Sequence, residues 1–116
     1  MRASDRKLNT RLNKQIKNIF CQTISDIKEV ETANQFLGDF LTVIEFEVLA
    51  KRLAIAYWLK KGRSYENIRE NLKVSSATIA SVQSQMDKEG FKLAIKNLEA
   101  EEWANVWSEK IKKWIR

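Results

Sequence analysis

The chain has 116 residues, no proline, three glycines and a formal net charge of +6. This length allows one domain with a modest core, and the abundance of helix-forming residues without proline predicts an all-α fold. The chain also has no histidine and a single cysteine, which excludes an internal disulfide and a zinc site of ordinary ligand spacing. No cofactor is predicted, and the lack of histidine, of a glycine-rich phosphate loop and of paired carboxylates in an apolar setting argues against an enzyme.

The first predicted helix runs from about Ser4 to Ile27, and residues 1–31 are predicted to form an N-terminal helix and dimerisation arm. Its apolar residues recur every three or four positions along one stripe, namely Leu8, Leu12, Ile16, Ile19, Phe20, Ile24 and Ile27. A stripe of this length in so small a protein predicts packing against something beyond its own neighbours. Cys21 follows Phe20 and is expected to be a buried structural thiol.

Six basic groups lie within the first 20 residues, against one acidic residue, Asp5. This charge predicts an anionic partner such as nucleic acid. Two interpretations of the basic groups stay open: an arm along a DNA backbone, or the solvated face of the first helix. The segment MRASDRKLNTRLNKQ contains no apolar run typical of a signal peptide, and no segment is long enough to span a bilayer, so a cytoplasmic protein that avoids the membrane is expected.

A short helix is predicted over Thr32–Leu41, followed by a longer one that begins at Thr42. Thr42 and Glu45 form a capping-box pattern, and Gly62 marks the end of the longer helix. This helix is apolar nearly all the way round, so it must be buried on several sides. One protomer has too little chain to surround it, which predicts an intertwined homodimer.

The segment 64–86, within a predicted core of residues 32–90, has the pattern of a helix-turn-helix. Its apolar residues fit two short helices packed across a tight bend; they are Ile68, Leu72, Val74, Ile79 and Val82. Ser64 is predicted to cap the first helix, Ser75 or Ser76 to cap the second, and Gly90 to end it. Lys73 stands at the bend, where a glycine at positive φ is common, and should cost up to about 1 kcal/mol there.

The second helix of such a motif lies in the major groove of DNA, while the first crosses the phosphate backbone. The predicted DNA-contacting residues are Ser64, Arg69, Ser75, Ser76, Ala77, Thr78, Ala80, Ser81, Gln83 and Ser84. Among them Arg69 can reach a phosphate, and Gln83 is the one obvious candidate for a bidentate base contact. Recognition is therefore expected mainly through hydroxyl groups, bridging water, thymine methyl groups and DNA shape. The alternative is a helical dimerisation or adaptor protein that keeps this fold without binding specific DNA.

Residues 91–116 are predicted to form a C-terminal amphipathic helix. One side of it groups Leu98, Trp103, Val106, Trp107, Ile111 and Trp114. Packing of this side against the dimer is expected, and attachment to a membrane surface is the less favoured alternative.

Residues 36–86 resemble the Trp repressor family, in particular its YerC/YecD-like branch. The shared frame is Leu41, Thr42, Glu45, Leu49, Arg52, Ile55, Gly62, Ser64, Tyr65, Ile68, Leu72, Val74, Ser75, Ala77, Thr78 and Ile79. The resemblance implies an all-α, Trp-repressor-like helix-turn-helix fold of five to six helices in an intertwined homodimer. It also implies a repressor-like transcriptional regulator that binds double-stranded DNA in a sequence-dependent manner.

In tryptophan-binding members of the family, two arginines enclose the indole ring and a capping threonine helps to close the pocket. Thr42 and Arg52 match this pattern and are weak candidates for an effector pocket. Ser81 stands at the second arginine position, and Val82 replaces a glycine, so tryptophan is not expected as the corepressor, although another small-molecule effector is left open. Alternatively, Arg52 pairs with Glu45 or caps a carbonyl.

Overall fold

A computed structural model of the chain describes the backbone of residues 7–115 and the side chains of residues 7–102 and 105. The described residues form six helices and contain no strand. The helices are α1 (Thr10–Asp26), α2 (Val30–Phe40), α3 (Val43–Lys60), α4 (Tyr65–Leu72), α5 (Ser76–Gln83) and α6 (Glu89–Ile115). The prediction of an all-α fold with a helix-turn-helix is confirmed. The chain divides into two compact units, one through Phe46 and the other from Glu47 onward.

In the first unit, α1 begins later than the sequence pattern predicts. The Asn9 side chain accepts hydrogen bonds from the backbone N–H groups of Arg11 (2.9 Å) and Leu12 (3.2 Å), which fixes the helix start at Thr10. The predicted start at Ser4 lies outside the described residues, and Leu8 precedes the helix. An asparagine at this position satisfies backbone donors that would otherwise have no partner, so the chain enters α1 here.

Aromatic stacking connects α1 to α2. The Phe20 and Phe40 rings lie 5.7 Å apart between centroids, and Phe36 stacks on Phe40 at 5.1 Å. The remaining stripe of α1 is exposed, and Ile19 has 65% of its surface accessible. Cys21 is also exposed, which corrects the expectation of a buried thiol. At about 100° per residue, Cys21 projects from the side of α1 opposite the stripe, so its proximity to Phe20 in sequence does not bury it.

The predicted capping box at the start of α3 is confirmed. The Thr42 hydroxyl accepts from the Glu45 backbone N–H at 3.1 Å, and the Glu45 carboxylate accepts from the Thr42 N–H at 2.8 Å. The backbone and side-chain hydrogen bonds from Thr42 lower the pKa of Glu45. At the other end of α3, Gly62 adopts φ +86°, as its predicted role as a helix terminator requires.

The second unit contains the buried core of the described residues. Its fully or nearly fully buried side chains are Ile55, Ala56, Ile68, Ile79, Val82 and Ile95. Leu72 and Val74 are partly buried and pack against this cluster. The prediction that the apolar residues of α4 and α5 face inward across the bend is therefore confirmed.

The end of α5 differs from the prediction. Helix α5 stops at Gln83 and is followed by turns, and Gly90 lies in the first turn of α6 instead of ending α5. Among the described glycines only Gly62 has a positive φ, so Gly90 does not supply the left-handed conformation on which the prediction depended.

Lys73 occupies the left-handed conformation predicted for the bend, with φ 55° and ψ 52°. A side chain with a Cβ is strained in this region, so Lys73→Gly is expected to raise the free energy of unfolding by up to about 1 kcal/mol. Urea denaturation followed by circular dichroism measures this change. Lys73→Ala is the matched control because it removes the charge but keeps the Cβ, and equal stabilities of the two variants would contradict the explanation.

Beyond the core, a hydrogen-bonded group joins α3 to α6. The Glu102 carboxylate accepts hydrogen bonds from the Tyr57 hydroxyl and from Lys61 Nζ, the latter at 3.2 Å. The bond to Glu102 raises the pKa of Tyr57 to about 12, and the same contacts lower the pKa of Glu102. The predicted tryptophan-rich side of α6, from Trp103 onward, lies outside the described side chains.

Tyr57→Phe is expected to raise the pKa of Glu102 toward its ordinary value of 4.5, since the largest cause of its lowering is removed. A carboxylate whose pKa is lower in the folded state stabilises the fold above its unfolded pKa, and that stabilisation is lost as the pH falls through the folded pKa. The variant should therefore lose stability less steeply on acidification. A carbon-13 NMR titration of the carboxyl group measures the pKa, with Tyr65→Phe as a control that should leave Glu102 unchanged. An unaltered Glu102 pKa in Tyr57→Phe would contradict the contact.

Candidate nucleic-acid interface

Helices α4 and α5 each begin at a serine that caps them. The Ser64 hydroxyl accepts from the Asn67 backbone N–H at 3.1 Å, and the Ser75 hydroxyl accepts from the Thr78 N–H at 3.1 Å. Of the two serines predicted as caps of α5, the structure uses Ser75. The Ser75 and Thr78 hydroxyls also lie 2.9 Å apart in a hydrogen bond. The hydroxyl groups of Ser64, Ser75 and Thr78 therefore form hydrogen bonds within the helix-turn-helix itself.

All ten residues predicted to contact DNA are exposed. Because Ile79 and Val82 are buried, helical geometry directs a continuous outer face of α5 away from the core. This outer face consists of Ala77, Ala80 and Ser81, together with Ser84, the residue directly after α5. Its side chains are short, so a surface placed against it can approach the helix backbone closely.

Two polar contacts connect α4 to one edge of α5. Arg69 Nη1 donates a hydrogen bond to the Ser76 hydroxyl at 2.9 Å. The Tyr65 hydroxyl donates to the side-chain oxygen of Gln83. Tyr65 and Arg69 are four residues apart on α4, and Ser76 and Gln83 are seven apart on α5, so each pair shares a helix edge.

The Tyr65–Gln83 contact has no signal in the sequence pattern, and Tyr65 is not among the residues predicted to contact DNA. It joins residues 18 positions apart on different helices, and only the packing of those helices brings them together. The contact affects Gln83, the residue predicted to make a bidentate base contact. Such a contact to adenine uses both the oxygen and the nitrogen of the Gln83 amide. In the structure the oxygen is already directed at α4.

Arg52 lines a cavity of about 730 Å³ together with residues of α5 that include Ser81 and Val82. Its guanidinium donates to the Gln85 side-chain oxygen and lies 5.6 Å from the centre of the Phe91 ring. The guanidinium is therefore paired with Gln85 and not with Glu45, the alternative partner, whose carboxylate accepts from the Thr42 N–H in the capping box. Arg52 instead connects α3 to the segment that follows α5 and to the start of α6.

Thr42, the other candidate for an effector pocket, does not line this cavity. Among the described residues, no group of three or more His, Cys, Asp or Glu side chains is placed to hold a metal ion. Nor does any helix in the described part of the chain combine the length and apolar character needed to cross a membrane.

These features define the class of protein: an all-α helix-turn-helix fold whose second helix presents a small, exposed outer face. The chain belongs to the Trp repressor family, since the family model described as Trp repressor protein matches residues 15–99. The fold of this family is a regulator fold. The resemblance identified from the motifs is thereby confirmed.

Two relatives support this assignment. The uncharacterized protein YerC of Bacillus subtilis (strain 168) is 33% identical over 69 residues, which is 60% of this chain and 65% of YerC, or just under two thirds of that relative. The crystal structure of a TrpR like protein from Eubacterium eligens ATCC 27750 has a TM-score of 0.71 and 28% identity. The alignment covers 78% of this chain and 96% of that one.

Proposed function

We propose that the protein is a transcriptional regulator that binds double-stranded DNA as a homodimer, with α5 in the major groove. The observation that carries this proposal is the outer face of α5, small and exposed above the buried Ile79 and Val82. Ala77 and Ala80 leave room for the bases and can contact thymine methyl groups. Arg69, already at the edge of α5, can reach a phosphate with the guanidinium nitrogens that Ser76 does not use. The site of action is the cytoplasm.

Unpartnered apolar surface supports the homodimer. Large apolar side chains remain exposed just before α1, along α1 and along α3: Leu8, Leu12, Ile16, Ile19, Phe20, Ile24, Val43, Ile44, Val48, Leu49 and Leu53. Exposed apolar area of this extent is typical of an interface that a second subunit covers. To contact successive major grooves on one DNA face, such a homodimer must hold its two α5 helices about 34 Å apart.

DNA binding by this protein does not require tryptophan. The guanidinium of Arg52, which would have to stack on an indole ring, is already held by Gln85 and Phe91. Ser81 has no guanidinium to enclose the ligand from the other side, and Val82 occupies space at the wall of the cavity. The internal contacts of Arg52 instead connect α3 to the segment after α5 without a ligand.

Fluorescence anisotropy with labelled duplexes of mixed sequence, titrated at 50 to 200 mM salt, tests this function. We expect binding at low salt that weakens at least about tenfold over this range, because each neutralised phosphate releases a counterion. Added tryptophan should leave the affinity unchanged. Absence of binding even at 50 mM salt would overturn the regulator proposal and favour the adaptor alternative.

A further inference from the structure

We infer that Tyr65 sets the base preference of α5 by fixing the amide of Gln83, so that this position favours guanine over adenine. The inference rests on the proposed function, because it concerns how α5 would recognise DNA. The structural basis is the hydrogen bond from the Tyr65 hydroxyl on α4 to the Gln83 side-chain oxygen on α5.

Gln83 is exposed at the last position of α5 and shares the α4-facing edge of that helix with Ser76. A glutamine amide has a carbonyl oxygen that accepts and an NH₂ group that donates two hydrogen bonds. Because the oxygen is directed at Tyr65 on α4, the NH₂ group is the part of the amide that is turned away from α4 and toward a ligand. Gln83 then acts as a donor.

The same edge of α5 has a second hydrogen bond in which a residue of α4 donates and a residue of α5 accepts. Ser76 accepts a hydrogen bond from Arg69, which leaves its hydroxyl hydrogen free to donate outward. Each of the two side-chain oxygens on this edge therefore accepts one hydrogen bond from α4 and is directed toward that helix. The edge is consequently biased toward donating hydrogen bonds.

Guanine and adenine differ in the hydrogen-bond donors and acceptors that they present in the major groove, and a donating side chain distinguishes them. Guanine presents two acceptors, N7 and O6, whereas adenine presents the acceptor N7 beside the N6 amino donor. A free glutamine matches adenine because its oxygen accepts from N6 while its nitrogen donates to N7. A glutamine whose oxygen is held by Tyr65 loses this match and favours guanine.

The surroundings of Gln83 explain why a tether is needed. Gln83 borders a cavity of about 600 Å³, which is also lined by Leu59, Met86 and Ile95. The side chain therefore has space for other rotamers. The Tyr65 hydroxyl selects one of them, so Tyr65 is a positioning residue that acts through Gln83.

The test is selection of binding sites from random duplexes, followed by competition between duplexes that differ at one base pair. We expect the wild-type protein to prefer guanine over adenine at one position of each half-site by about tenfold, the range of a single base contact. Tyr65→Phe should bring this ratio close to one or reverse it, while the preferences at other positions and the salt slope stay unchanged. Gln83→Ala should remove all preference at the same position.

Tyr57→Phe is the matched control, because it removes a hydroxyl that is hydrogen-bonded elsewhere, to Glu102. It should keep the wild-type guanine preference. If the wild-type protein selects a site with guanine and Tyr65→Phe keeps the same preference, this inference is overturned and the proposed function stays intact. A wild-type protein that binds no duplex would overturn both. Uniform weakening at every position in Tyr65→Phe would show a merely structural role and would also overturn it.

Discussion

Ala80→Glu is expected to abolish DNA binding, with a loss of at least about 100-fold in affinity, while the helical content and the thermal midpoint remain close to wild type. Ala80 is exposed at the centre of the outer face of α5, and the residue before it, Ile79, is fully buried. A carboxylate at position 80 would meet the negative charge of the DNA and would add bulk where the helix backbone must approach the bases. Repulsion between like charges at close range costs several kcal/mol, which corresponds to this fold-change. Anisotropy at low salt and circular dichroism provide the two measurements.

Ala100→Glu is the control for this prediction. It makes the same change in side chain and charge at an exposed helical position of α6. Its effect on affinity should stay within about threefold, which is the effect of one added negative charge at a distance. If Ala80→Glu binds as tightly as Ala100→Glu, α5 is not in the interface.

Ile19→Glu is expected to weaken the homodimer by about 100-fold or more. Ile19 is the most exposed apolar residue of the α1 stripe, with 65% of its surface accessible within one chain. A dimer that covers this stripe would bury the new carboxylate without a partner, at a cost of several kcal/mol. Sedimentation velocity over a range of protein concentrations measures the dissociation constant.

Asn18→Glu adds the same charge on the polar side of α1, where it should leave association unchanged. Comparing the two variants separates burial of position 19 from a general effect of charge on this helix. A folded wild-type monomer at micromolar concentration would contradict the dimer itself. An Ile19→Glu protein that dimerises like Asn18→Glu would remove α1 from the interface.

Much of the fold is predictable from the sequence because its determinants are local. These determinants are the Thr42–Glu45 capping box, the Ser64 and Ser75 caps and the termination at Gly62, and each joins residues no more than five positions apart. The apolar periodicity within each helix also identifies the buried side of the motif, since it predicts that Ile68 of α4 and Ile79 of α5 face inward.

The errors arise where local signals compete or where the partners are distant. Leu8 continues the apolar stripe and obscures the cap at Asn9, so the sequence pattern predicts a start of α1 that is too early. Gly90 is a residue type that often ends helices, but it lacks the positive φ on which that role depends. The partner of Arg52, Gln85, lies 33 positions away, and that of Tyr65, Gln83, lies 18 away, so neither contact has a periodic pattern.

The exposed thiol of Cys21 allows the protein to be labelled at one position without mutagenesis. It lies on the polar side of α1, opposite the apolar stripe, and is the one cysteine in the sequence. Maleimide chemistry would attach one dye to each protomer. Mixing donor-labelled with acceptor-labelled protein would then report how quickly subunits exchange, and an intertwined pair, which must open before its chains can separate, should exchange slowly.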